Sequence, residues 1–327
     1  MAEFRTFTAI GQREDLSNTI YNIAPTETPV VSSIGKTKAT AVFHEWQTDD
    51  LAAASAAGLK EGDAAGGASD TPTVRVGNRT QIQGKTVHIS GTLDAVDKAG
   101  RKTETAYQLA KAGQELKRDM EKTIMGNQIA VTGTASAARL LASIQTWLLT
   151  NYSSIATGAT AAAPTNGNGT VARTPSSAAQ ATVAFTEGAL KSTVKSCFEN
   201  GGNPTMLVVS PFLKQVVSGF AGIAAQRYEA PTNGKQTTIM GAADVYLSDF
   251  GTLSVVPDRF LTADYAGTGD QAFVLDPTML SIATLRPFQS NLLAKDGDSE
   301  KHQMLSEYTL QVSNQKAHGI VADIKNT

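Results

Sequence analysis

Between Thr103 and Met125 the chain runs TETAYQLAKAGQELKRDMEKTIM, and Ala106, Leu109, Gly113, Leu116, Met120 and Ile124 recur there at steps of three and four. Residues at that spacing share one stripe of an α-helix with ~3.6 residues per turn, so the stretch predicts a helix with one apolar face. At ~1.5 Å of rise per residue it runs roughly 35 Å, about the width of a small domain. Any fold for this chain must therefore lay a surface along it, with Leu109, Leu116, Met120 and Ile124 as the core positions. The remaining faces are charged. Lys117 and Glu121 stand four apart and Glu115 and Arg118 three apart, pairs that support a solvated helix face by only ~0.2–0.5 kcal/mol each. The apolar stripe decides the placement.

Segments before the helix are extended and thinly apolar. Residues Met1 to Thr37 carry a short amphipathic piece around Leu16 to Ile23, then IAPTETP, where Pro25 and Pro29 discourage regular helix. They read as an arm. From Ala39 to Thr48 the pattern alternates, with Val42, His44 and Trp46 on one side and Phe43, Glu45 and Gln47 on the other, as a strand requires. Leu51 to Asp70 is a low-complexity tract whose apolar bulk does not offset its ordering entropy. Alternation returns in Thr73 to Gly91, and the simplest assembly is a long two-stranded hairpin with an acidic, glycine-rich tip. An isolated two-stranded hairpin is marginal in water. Its own domain or a neighbouring subunit must hold it.

After the helix, Leu140, Leu141, Ile144, Trp147 and Leu148 predict a second short helix within Gly126 to Thr150, and Asn151 to Ala184 reads as a long loop. A denser α/β segment starts at Phe185. Thr186 is placed to cap a helix with the stripe Leu190, Val194, Cys197 and Phe198, ending at Gly201 and Gly202. Met206 to Val209 is a buried strand, and Ser210 with Pro211 reads as N-cap and first-turn proline of a further helix. Strands follow at Asp244 to Leu247, Thr252 to Val256 and Ala272 to Leu275. Two more strands lie in Lys301 to Ile324: one face holds Met304, Tyr308, Leu310 and Val312, another Ile320, Ala322 and Ile324, and the long helix is expected to cover them.

Composition narrows the function. At 327 residues the chain exceeds a single small core and predicts two domains or one elaborated domain. Its 28 basic and 30 acidic residues are nearly balanced, without the clustered Lys and Arg that phosphate neutralisation needs. The lone Cys197 excludes an internal disulfide and reads as a packing residue. No apolar run reaches the ~18 residues of a membrane span, and Met1 to Ile10 lacks the regions of a signal peptide.

Catalytic fragments fail on spacing. Gly35-Lys36-Thr37 and Gly84-Lys85-Thr86 lack the glycine of a phosphate loop five residues earlier, and Thr48 stands where His44 and Glu45 would need a second zinc-ligating histidine. Asp249-Phe250-Gly251 reads as a hairpin turn rather than a kinase triplet, and Lys301 replaces the turn glycine of a calcium loop at Asp296, Asp298 and Glu300. Neither catalytic nor metal nor cofactor-binding residues are assigned.

The order of parts (arm, long hairpin, spine helix, compact second domain, returning strands) resembles the major capsid protein of tailed double-stranded DNA phages, with the Hong Kong 97-type fold. IAPTETP at Ile23 to Pro29, FHEWQTDDL at Phe43 to Leu51, SDFGTLSVVPDRF at Ser248 to Phe260, LRPFQ at Leu285 to Gln289 and GDSEKHQMLSEYTL at Gly297 to Leu310 carry the resemblance. It implies an α+β fold with an N-terminal arm (1–38), an extended β-hairpin loop (39–92), a peripheral domain (93–184 and the return strands 285–327) with its spine helix at 103–125, and an axial α/β domain (185–284). It implies pentamers and hexamers enclosing DNA without sequence-specific binding, in a virion assembled in the host cytoplasm. Partners would be further copies of the chain, a separate scaffolding protein, a portal and a decoration protein, with no membrane. Intersubunit contacts are expected at Lys60, Glu61, Asp63, Arg75 and Arg79. An encapsulin-like compartment or another phage assembly protein is the second reading, and a cytosolic hydrolase the third.

Overall fold

The structure, a computed structural model, describes residues 20, 25–56, 58, 60–62, 64, 70–156, 161–176, 183–220, 244–261, 270–295 and 297–325. Apart from Ile20, the amphipathic piece expected at Leu16 to Ile23 lies outside them. The chain opens with α1 (Pro29–Ser33) and β1 (Gly35–Lys38), then β2 (Phe43–Thr48), β3 (Val74–Arg79) and β4 (Gln81–Ser90). Short α2 (Gly91–Ala95) leads into α3 (Glu104–Met125), the long helix. Asp94 of α2 caps α3, accepting the Glu104 N–H at 3.0 Å, and so satisfies one of the four amides that a helix start leaves without partners.

The apolar stripe of α3 holds in its second half only. Leu116, Met120 and Ile124 are buried, Leu109 is half-buried and Ala106 is exposed. Toward its N-terminus the helix stands off β4, leaving an open groove of about 330 Å³ lined by Val87, Leu93, Gln108 and Lys111. Glu121, assigned by spacing to the charged face, is wholly buried.

A four-stranded sheet of order β1-β10-β11-β4 lies under α3, with β10 at Leu280–Leu292 and β11 at Ser299–Val312. The run from Thr73 to Gly91 is thus not one arm of a long hairpin. Only β3 pairs with β2, whereas β4 pairs with β11 from Gln81↔Tyr308 to Ser90↔Ser299. The expected helix within 126–150 is a single 3-10 turn at Ile144–Thr146 in otherwise irregular chain. Its apolar residues Leu141, Ile144, Trp147 and Leu148 are buried nonetheless; helical spacing there recorded burial from several sides rather than one face.

The second sheet has six strands in the order β5-β12-β9-β6-β8-β7: β5 (Tyr152–Ser154), β12 (Gly319–Ile324), β9 (Asp270–Leu275), β6 (Met206–Val209), β8 (Gly251–Pro257) and β7 (Val245–Ser248). On one face lie α4 (Glu187–Glu199) and α5 (Pro211–Ser218), closing a core of Leu190, Val194, Leu213 and Val217 against Leu207 and Val274. On the other face Val208, Phe273 and Ile320 join Ile282 and Leu310 of the four-stranded sheet and Met120 and Ile124 of α3. The caps are as the sequence implies: the hydroxyls of Thr186 and Ser210 accept from the Ala189 and Leu213 N–H groups. Gly201, at φ +84°, lets the Gly202 N–H turn back to the Cys197 carbonyl at 2.8 Å.

The return strands divide between the two sheets. Whereas β11 runs under α3, β12 lies in the six-stranded sheet between β5 and β9. Ile324 does not share a face with Ile320 and Ala322 but packs in the α4–α5 core with Val321. The cause is Asp323, whose φ of +60° shifts the register and turns the strand's alternation over.

Candidate assembly site

The joint between the two sheets and the hairpin gathers buried polar side chains. Thr80, between β3 and β4, marks where the chain leaves one pairing partner for another. Asn78 is wholly buried; its Oδ1 accepts the Ala142 N–H at 2.8 Å, and its Nδ2 donates to the carbonyls of Ala142 at 3.0 Å and Leu310 at 2.8 Å. Gln81 Oε1 accepts from Gln128 Nε2 at 2.7 Å and from the Leu141 N–H at 3.1 Å. Glu307, on β11, accepts from the Thr80 hydroxyl at 2.8 Å, from Arg286 Nε at 2.7 Å and from the Arg139 guanidinium. Arg139 Nε donates in turn to the Thr80 carbonyl. Buried charge in low dielectric is tolerated when paired and fully hydrogen-bonded, and such bonds are directional. They fix the angle at which the hairpin leaves the body.

Apolar contacts finish the root. Trp46 of β2 lies with its ring 5.4 Å from that of Trp147, and Val76 packs on the same core. His44 Nε2 and Gln311 Oε1 are hydrogen-bonded at 3.0 Å, and Lys316 reaches Asp50 at 2.8 Å just past β2. Further out, cover ends: Val74 is 60% exposed and Leu51 99%.

The expected contact residues fall in three places. Lys60 and Glu61 are exposed beyond the paired strands, and Asp63 lies outside the described residues. Arg75 and Arg79 are on β3, both engaged within the hairpin: Arg75 Nε bonds Glu45 at 2.9 Å, and the Arg79 guanidinium sits over the Phe43 ring at 5.0 Å. Sequence reasoning missed Asn78, Thr80, Gln81, Arg139 and Glu307. The available signal was the polar run Asn78-Arg79-Thr80-Gln81 breaking an alternating strand, a mark of a strand changing partners.

Two further joints have the same character. Glu121 of α3 receives the Val30 and Val31 N–H groups of α1, each at 2.8 Å, tying the arm to the long helix. Asp323, at the irregular end of β12, accepts from Arg173 at 2.9 Å, Ser154 at 2.8 Å, Tyr152 at 3.2 Å and the Ser176 N–H at 3.0 Å. Burial pushes its carboxyl up, but Arg173 and these bonds outweigh that and hold it below the ordinary carboxylate range. Cys197, His318 and Phe198 also have structural places. Cys197 is buried, its thiol pushed up to about 12 by desolvation; His318 is buried, held down to about 4 by the same cause, and accepts the Asp276 N–H at 3.2 Å. Phe198 is not in the stripe of α4 but exposed, against Phe250 at 4.9 Å. Among the described residues no group of three or more His, Cys, Asp or Glu is placed to hold a metal ion.

A long helix on a four-stranded sheet, a six-stranded layer with its own two helices and a hairpin projecting from the joint define the Hong Kong 97-type fold of phage capsid subunits. A solved structure from Mycobacterium phage Adephagia is similar with a TM-score of 0.61 at 12% identity, covering 100% of both chains. The capsid of an empty GTA particle gives 0.56 at 12% identity over 96% of each chain. The holo-SrpI encapsulin complex of Synechococcus elongatus PCC 7942 gives 0.55 at 8% identity, over 97% of this chain and 94% of that one. The chain belongs to the SU10 major capsid protein family, whose model matches residues 3–325. A major capsid protein of Escherichia phage Phieco32 is 36% identical over 126 residues, which is 38% of this chain and 36% of that protein's length. Membership makes the chain a structural, self-associating subunit of a virion capsid.

Proposed function

We propose that copies of this chain form pentamers and hexamers that close into an icosahedral or prolate head around packaged double-stranded DNA, and that the hairpin is the clamp between neighbouring copies. The observation that carries this is the contrast along β2 and β3. The root is fixed by Asn78, Thr80 and Glu307, while Leu51 and Val74 are left uncovered. A two-stranded element with apolar side chains in water is marginal alone, so a neighbour's surface is needed to stabilise it. The four-stranded sheet with α3 serves as the peripheral part, the six-stranded sheet with α4 and α5 as the axial part, and residues 1–38 as the arm, whose last four residues add β1 to the edge of the four-stranded sheet.

Lys60, Glu61, Asp63, Arg75 and Arg79 supply polar contacts between copies, setting orientation more than affinity. A near-neutral formal charge of −2 suits enclosure of DNA without tight or sequence-specific binding. Scaffolding, portal and decoration proteins are its other partners, and the subunit's task is geometric rather than catalytic. Replacing Leu51 to Asp70 by a short turn tests the clamp, with negative-stain electron microscopy and sedimentation as readouts. The subunit is expected to fold, with its α4–α5 region intact, and to form no closed shells. Normal shells from that variant would refute the reading.

A further inference from the structure

Glu121 joins two parts of the molecule, α3 and α1. Its carboxylate is wholly buried in α3, and both oxygens are used on α1, one accepting the Val30 N–H and the other the Val31 N–H. A second wholly buried acid, Asp258, just after β8, acts on Glu121 electrostatically; one of its oxygens accepts the Phe260 N–H at 2.8 Å and the other has no hydrogen-bond partner among the described residues.

Among the described residues neither acid is hydrogen-bonded to a cation. On α1, Pro29–Ser33 holds no titratable side chain. Before it, Glu27 is exposed and faces Arg259 at 3.7 Å. On α3 itself, Lys117 and Lys122 are exposed, and Arg118 places its guanidinium over the Phe260 ring at 5.5 Å. Lys36, from β1, lines a small cavity with Val31, Lys117 and Met120 and makes no ion pair with Glu121. Two buried carboxyls that make no ion pair cannot both carry charge cheaply, because burial and mutual repulsion each favour the neutral form.

We infer that seating α1 on α3 takes up a proton, so that buried Glu121, with Asp258 acting on it, is a pH-dependent latch for the arm. When α1 lifts away, Glu121 meets water and returns to the ordinary carboxylate range. When α1 is seated, desolvation foremost, and then Asp258, push Glu121 from 4.5 to about 7 against the two N–H bonds that favour its anion. Seating is then tightest in acid, weakens as pH rises from 4.5 to about 7 and is weakest above that. Across that window the seating equilibrium changes on the order of a hundredfold, because a rise of one in pKa is worth about a factor of ten.

Amide hydrogen exchange of the full-length subunit, corrected for intrinsic rates, tests this between pH 5 and 8, with the β6 amides of Met206–Val209 as an internal reference. Opening at Val30 and Val31 is expected to rise on the order of a hundredfold across the range while β6 stays level, and Glu121→Gln is expected to remove the dependence. Asp258→Asn, which removes the second acid, is expected to lower the midpoint of the transition, and it carries the test if Glu121→Gln fails to fold. Opening at Val30 and Val31 that is level with pH in the wild type would overturn the inference. So would a Glu121→Gln protein that keeps the full dependence, or an Asp258→Asn midpoint that does not move. The readout is local to the arm, so it stands apart from whether shells form.

Discussion

Glu307→Ala removes the carboxylate on which Thr80, Arg139 and Arg286 converge. Taking one partner from a buried charge pair costs ~3–5 kcal/mol. Here the arginine side chains are 22% and 46% exposed against 5% for Glu307, so water takes over part of their loss and about 2–3 kcal/mol is expected. The damage should be local. The chain's two tryptophans, Trp46 on the hairpin and Trp147 in the core, lie 5.4 Å apart, so near-ultraviolet circular dichroism and fluorescence report whether the root is seated. In Glu307→Ala the tryptophan signature should weaken, the urea midpoint should fall, and the far-ultraviolet spectrum should stay. Arg139→Ala added to Glu307→Ala should cost less than the sum of the single changes, because the two groups act as a unit. A variant with the wild-type tryptophan signal and urea midpoint would refute the claim that this carboxylate sets the hairpin.

Leu116 is 1% exposed in the half of α3 that packs, and Leu116→Asp puts an unpaired charge there; several kcal/mol should be lost, and a normal melting curve would refute the placement of the helix. Burial holds His318 down to about 4 from 6.5, so between those values the unfolded chain binds more protons than the folded one, and stability from this residue is lost as pH falls through that window. Urea midpoints from pH 7 to 4 check it: His318→Gln should fall less steeply with acid than the wild type, and equal slopes would refute the assignment.

Much of the fold was legible because its elements obey a single period. The strand at Met206–Val209, the caps at Thr186 and Ser210 and the turn at Ser248–Gly251 follow from local pattern and turn chemistry, and all are present. Reading failed where one run of sequence serves two environments. The strand from Thr73 to Gly91 changes sheets at Thr80, and α3 packs along half its length. Ile324 changes faces because Asp323 takes a positive φ that spacing cannot foresee. At the candidate site the exposed charges were visible in composition, but the residues that fix the joints were not. Glu121 is the clearest case: four residues from Lys117, it has the spacing of a solvated ion pair, and only the position of α1 shows that it accepts two backbone amides instead.

The three joints share a physical logic that suits a shell subunit. Apolar contact is non-directional: Ile282, Phe273 and Ile124 would hold the layers together over a range of angles. A buried, hydrogen-bonded polar group, by contrast, is satisfied in one geometry and costly in others. The buried acids Glu307, Glu121 and Asp323 stand at the root of the hairpin, the seat of the arm and the irregular end of β12. Small angular errors at such places would multiply across a closed assembly, whereas the interiors of the two sheets need only be packed. Stability is therefore carried mainly by the cores and orientation by the acids. Replacing a joint acid should accordingly spoil assembly geometry more than its cost in subunit stability would imply.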